Sequence, residues 1–252
     1  MPPRIASILP APLPLRDGLR VLEIGTGDGT TILQIAQWGA ELGVTGRYVG
    51  VDRDPSRAGP FRASAAAAGV GDTTTFARAD AFCLGSALGR FDVLVSVDCL
   101  SQFVFEGLPA GVGCDAVEQR LTDMLAHWRT VLETGGLLVV ADTDRESAGD
   151  PAGRAIAVFE RERWPLLPGA VIDAALRAAG FASLRTRSTL RQRSGSRDDL
   201  ERFVGGGAYR RLPRGNFPPP PYPPREAAVV DGIHELAWRV VQASVPAEDA
   251  GA

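Results

Sequence analysis

Lysine is absent from this 252-residue chain: all 27 of its basic residues are arginine. Without it there is no Schiff-base catalysis, and no Walker-type phosphate loop, whose GK[ST] ending requires that residue. Histidine is almost as scarce, and His127 and His234 stand too far apart in sequence to indicate a histidine-rich metal site. The three cysteines, Cys83, Cys99 and Cys114, are odd in number and form no CxxC pair. That pattern argues against a disulfide framework and against a zinc knuckle, so no metal is expected. Membrane spans need about 20 apolar residues, whereas the longest obvious run, Leu137–Ala141, has five. Prolines break the amino-terminal MPPRIASILPAPLPLR before a signal-peptide core can form. The expectation is a soluble, reduced, cytoplasmic protein with no membrane partner.

What is present fits one domain. The chain is 45% apolar and 23% charged, enough to bury a single sizeable core. Short apolar runs at 19–24, 47–51, 73–77, 91–97, 137–141 and 182–190 read as strands. Between them, 30–42, 63–68 (led in by Asp54-Pro55 and Pro60), 115–133 and 168–179 read as helices, several ending at a glycine. In 115–133 the residues Val117, Leu121, Leu125, Trp128 and Leu132 form one apolar stripe. Residues 236–244 read as a last strand in preference to a last helix. Strands apolar on both faces and alternating with helices indicate an α/β fold, a doubly wound, mostly parallel sheet with helices on each side. From 195 to 233 the alternation fails, with three glycines at 205–207 and PPPPYPP at 218–224. This stretch reads as an insertion that lids the ligand end of the sheet.

The chemistry concentrates in Val21-Leu22-Glu23-Ile24-Gly25-Thr26-Gly27-Asp28-Gly29-Thr30, a strand that ends in GxGxG and feeds a helix. Ligands of open α/β sheets sit beyond the carboxyl ends of the strands. A dinucleotide fingerprint would be GxGxxG, with a pyrophosphate at the helix start. Here the spacing is GxGxG, and carboxylates at Glu23 and Asp28 serve a phosphate poorly and a cationic, amino-bearing ligand well. Asp52 ends the second strand, where a carboxylate can accept both hydroxyls of a ribose. Asp80 follows the third strand and Asp98 the fourth, so four acids fall at successive strand ends beside one glycine loop.

With these residues in place, the chain resembles the class I S-adenosylmethionine-dependent methyltransferases from about Leu19 to Leu190. VLEIGTGDGT is similar to the family's first motif, and the resemblance implies that Gly25, Thr26 and Gly27 line the methionine half of S-adenosylmethionine. It implies that Asp52 binds the ribose hydroxyls with Arg53 beside the adenine. Asp80 and Ala81, followed by Phe82, match the pair that reads the adenine ring, and Asp98 falls beside the methionine portion and the transferring methyl. The fold implied is a three-layer α/β/α domain around a seven-stranded, mostly parallel sheet.

Methyl transfer from a sulfonium needs mostly alignment, so no catalytic motif is obligatory. His234, next to the insertion, is the candidate general base, and Asp98 a second group able to orient an acceptor hydroxyl. His127 sits beside its helix's apolar stripe and reads as structural, and Cys83 and Cys99 read as small core residues. Nine arginines between 185 and 214 face only Asp198, Asp199 and Glu201, in a chain of net charge −3. A basic flap there is the route by which RNA or a protein would become the acceptor. Lacking a recognisable RNA module, the chain is expected to methylate an O, N or C nucleophile of a small molecule instead of a nucleic acid. A third expectation is a cofactor-binding protein that keeps the fold without methylating.

Overall fold

A computed structural model describes residues 12–109, 111–143, 165–194 and 234–247, with side chains omitted for 189–194 and 234–238. The strands are β1 (Leu19–Ile24), β2 (Gly46–Asp52), β3 (Thr74–Arg78), β4 (Phe91–Val97), β5 (Leu132–Thr143), β6 (Ala182–Ser194) and β7 (His234–Ser244). The helices are α1 (Thr30–Glu41), α2 (Ala58–Ala67), α3 (Leu100–Phe105), α4 (Cys114–Thr130) and α5 (Gly169–Ala178). All seven strands join one sheet in the order β3-β2-β1-β4-β5-β7-β6. Strands β1 to β5 pair in parallel, and β7 runs antiparallel to both β5 and β6.

Period-two alternation sends each parallel strand's apolar residues to both faces. In β1, Leu22 and Ile24 join the core beneath α3, α4 and α5, while Leu19 and Val21 join the core beneath α1 and α2. Leu138 and Val140 of β5 divide from Val139 and Ala141 in the same way. Three layers therefore result, as the unbroken apolar strands require. No described helix is long and apolar enough to cross a membrane.

Some boundaries differ from expectation for local reasons. Helix α4 ends at Thr130, and Leu132, expected on its stripe, pairs with Phe91 at the start of β5. The register then jumps to Val93 opposite Leu137, because Gly135 at φ 76° turns the chain out of the ladder. Ahead of α2, the Asp54 carboxylate accepts from the Ser56 amide and Pro55 opens a short 3₁₀ turn. Helix α2 begins at Ala58, so Pro60 lies within its first turn, where an amide is not needed. Strand β6 runs to Ser194, so Arg185 to Arg193 of the supposed basic flap are strand residues along the sheet edge. The rest of that flap and the 195–233 insertion lie outside the described residues.

Helix α4 fixes the loop after β3. Trp128 donates its indole N–H to the Ala81 carbonyl at 2.7 Å, and the Leu84 amide donates to His127 Nε2 at 2.7 Å. His127 is thus structural. Trp128→Phe keeps an aromatic ring but orphans the buried Ala81 carbonyl and leaves a gap where the rest of the indole lay, and should cost at least about 1–3 kcal/mol. Urea unfolding at constant m-value would measure it, and an unchanged midpoint would contradict this account.

Candidate functional site

Three glycines with left-handed backbone, Gly25, Gly27 and Gly29 at φ 76°, 56° and 89°, turn the chain from β1 into α1. The turn is pinned from the neighbouring strand. Val51 O accepts the amides of Gly25 and Thr26 at 2.9 and 3.0 Å, and Asp52 Oδ2 accepts that of Gly27 at 3.1 Å. A Cβ at Gly25 would lie 2.6 Å from Cys99 Sγ and 2.8 Å from the Phe103 ring. At Gly27 the same atom would meet nothing within 4 Å. Gly27 borders instead a cavity of about 270 Å³ at the carboxyl ends of β1 to β4.

Not every expected residue reaches that cavity. Gly25, Gly27, Asp28 and Asp52 line it, joined by Arg53, Asp80, Ala81 and Phe82. Glu23, Thr26 and Asp98 are not among its lining residues. Glu23 is 3% exposed and lies beneath the loop, accepting the Thr26 hydroxyl and, at 3.2 Å, the Ile32 amide in the first turn of α1. These bonds turn the Thr26 side chain inward, so both side chains support the loop from within. Asp98 is half-buried, with left-handed backbone at φ 56°, and its amide donates to Ala141 O at 2.8 Å. It redirects the chain into α3. His234 opens β7, its side chain outside the description; since Thr143 pairs with Trp238, β7 starts four residues beyond the end of β5. Cys83 is exposed, contrary to its expected core position, and Cys99 is half-buried on the cavity wall.

The missed wall is α3. Cys99, Gln102, Phe103 and Glu106 line the cavity, while Leu100, Ser101, Val104 and Phe105 are buried. The spacing i, i+3, i+4, i+7 is one helical face, the signal that could have revealed it. Glu106 bonds Arg53 across the mouth, and its carbonyl accepts from Arg120 at 3.1 Å. The Arg120 guanidinium lies 4.2 Å over the Phe82 ring. Arg57 pairs with Asp54 at 3.4 Å. The arginines of the wall are thus tied down, whereas the carboxylates of Asp52 and Asp80 accept only backbone amides among their resolved bonds. Each retains lone pairs for a ligand's hydroxyl or amino group.

Burial pushes the Glu23 carboxyl up to about 7 despite its hydrogen-bond donors. Burial likewise pushes the Cys99 thiol well up, so it is not a thiolate nucleophile.

Strand order, reversed β7 and a glycine loop flanked by strand-end acids define an α/β domain of the doubly wound class. Residues 15–162, more than half of the chain, match a family model described as a methyltransferase domain, and the chain belongs to that family. Among solved structures it is similar to the YcgJ protein of Bacillus subtilis, at 16% identity and a TM-score of 0.63, covering 93% of this chain and 94% of that one. It is similar to the [4+2]-cyclase SpnF, at 17% identity and a TM-score of 0.53, covering 93% and 77% respectively. An O-methyltransferase family protein from Burkholderia thailandensis matches at 16% identity and a TM-score of 0.53, covering 92% of this chain and 52% of that one. Identities this low carry the fold alone. No curated protein is significantly similar in sequence.

Glu23 makes stability pH-dependent in a defined sense. Its folded value, about 7, lies above the ordinary 4.5, so the folded state binds the proton more tightly. Stability from this group is therefore full below pH 4.5 and declines as pH rises to about 7, by on the order of 3 kcal/mol. Urea unfolding at pH 5 and pH 7.5 should show a smaller decline in Glu23→Gln than in the unsubstituted protein. An equal decline in both would place the proton elsewhere.

Proposed function

We propose that this methyltransferase-family protein binds S-adenosylmethionine in the cavity and transfers its methyl group to an O, N or C nucleophile of a small molecule. One observation carries the reading: Asp52 and Asp80 stand at consecutive strand ends around Gly27, whose missing side chain leaves the cavity floor open. These residues fit the group. A nucleoside sulfonium is cationic, carries a ribose diol and an aminopurine, and has no phosphate for an acid-lined, lysine-free wall to repel. Asp52 would hold the ribose hydroxyls, and Asp80 with the Ala81 amide would hold the adenine. Gly25 and Gly27 would allow the methionine portion to lie against the main chain.

When bound, S-adenosylmethionine supplies an electrophilic methyl on an excellent leaving group. The chain's own contribution is then alignment and exclusion of water, which can lower a barrier by roughly 7–11 kcal/mol in the best cases. Cys99, Gln102 and Phe103 wall the end of the cavity beside Gly25. An amine or thiolate acceptor needs no base; for a hydroxyl, His234 is the group proposed to take the proton. A second reading, transfer to RNA, is favoured by Arg185 and Arg187, which lie exposed on edge strand β6. Heparin or RNA retention that falls steeply with salt would support it.

Calorimetry should show binding of S-adenosylmethionine and S-adenosylhomocysteine, and none of a nicotinamide dinucleotide or a nucleoside triphosphate. Asp52→Ala should weaken that binding by about 1–3 kcal/mol through lost charged hydrogen bonds. Unchanged affinity in the variant would remove Asp52 from the site. Binding with no transfer to any component of a cell extract would favour the non-methylating reading.

A further inference from the structure

We propose that Asp142, a buried carboxylate on β5 that does not line the cavity, is a positioning residue that sets α3 and with it the cavity wall around Cys99 and Phe103. The inference rests on the reading of that cavity as the S-adenosylmethionine site. Asp142 is 2% exposed. Its Oδ2 accepts the Ser101 amide at 2.8 Å and its Oδ1 the Thr143 amide at 2.9 Å. The Ser101 hydroxyl also bonds this carboxylate, and accepts the Leu167 amide at 3.2 Å. One side chain therefore ties β5 to the first turn of α3 and, through Ser101, to the segment entering α5.

Helix α3 needs such a tie. Six residues are far below the length at which a helix holds itself in water. It follows the left-handed turn at Asp98, so its direction is set by what its first turn touches. Its tolerance for movement is small, because the space beside Gly25 is already taken by Cys99 Sγ and the Phe103 ring. Phe103 in turn meets Trp128 edge-on, with centroids 6.3 Å apart. A displaced α3 would reshape the wall against which the sulfur end of the cofactor is to lie. Burial, then the neighbouring Asp98, pushes the Asp142 carboxyl up to about 6. At neutral pH it is therefore the acceptor-only form that these donors call for.

Two substitutions separate geometry from charge. Asp142→Asn keeps one acceptor, enough for the Ser101 amide, and loses the charge and the bond to the adjacent Thr143 amide, whereas Asp142→Glu keeps the charge and overshoots the 2.8 Å bond by a methylene. Two readouts apply: the Kd for S-adenosylhomocysteine by calorimetry, and the alkylation rate of Cys99 by a maleimide in a Cys83→Ser, Cys114→Ser background without ligand. Asp142→Glu should raise both the Kd and the alkylation rate by about tenfold or more, and Asp142→Asn should hold the Kd within about threefold, its alkylation rate rising only as far as loss of the Asp142 charge frees the thiol. Asp142→Ala should follow Asp142→Glu; if it fails to fold, the Glu and Asn pair decides alone. The reverse order, with Glu tolerated and Asn impaired, would overturn the proposal in favour of a charge effect. Lower melting temperatures with both readouts unmoved would overturn it in favour of a purely structural role. Should the unsubstituted protein bind no S-adenosylhomocysteine, the cofactor reading falls, and the alkylation rates still decide whether Asp142 sets α3.

Discussion

The bend after β1 is held by a carbonyl and a carboxylate on the adjoining strand. Val51 O takes two of its amides and Asp52 a third, so the loop's shape belongs as much to β2 as to its own glycines. The shape of the cavity floor follows from that arrangement. The Gly25, Thr26 and Gly27 amides are satisfied within the protein, and the Asp52 and Asp80 carboxylates keep lone pairs at the rim. Glu23 completes the support from below by joining Thr26 to the first turn of α1. The loop is thus fixed from the strand beside it and the helix beneath it before any ligand arrives, a condition for a site that works by alignment.

Most of the fold was legible because parallel strands buried on both faces announce themselves as unbroken apolar runs. The strand-end acids Asp52 and Asp80 were legible for a related reason, since the ends of those runs mark the sheet's edge. Legibility failed where tertiary contacts outweigh local pattern. Leu132 continues a helical stripe in sequence, but Phe91 offers it a strand partner and the turn at Gly135 removes the alternative. Glu23 and Thr26 sit inside the most recognisable motif of the chain and still face inward, because a motif identifies a loop without giving the direction of each side chain. Helix α3 carries its periodic signal in a single set of four positions, easily passed over beside the longer stripes, and with it went Gln102, Phe103 and Glu106. Asp142 gave no signal either: a carboxylate closing an apolar strand reads as a turn residue until Ser101 is seen bonded to it.

Charge in the cavity is arranged by pairing more than by composition. Arg53 with Glu106, Arg57 with Asp54, and Arg120 over Phe82 occupy the wall's cations locally. A chain whose basic residues are all arginine suits this use, since a planar guanidinium can stack on a ring and bond a carbonyl together, as Arg120 does. The mouth is consequently bridged from the loop after β2 to the helices that follow β4, while the floor stays acidic.

The reversed strand has a consequence for assembly of the chain. Strand β7 lies between β5 and β6, yet it is the last of the described strands in sequence, and among the described residues β6 pairs with no other strand. During biosynthesis the β5 edge waits for its partner from residue 143 and β6 from residue 194 until residue 244 has emerged, so two vacant hydrogen-bonding rims coexist while residues 195–244 are made. Closure is a late, long-range event that stitches the two rims together at once, and the chain is most prone to adventitious strand pairing just before it.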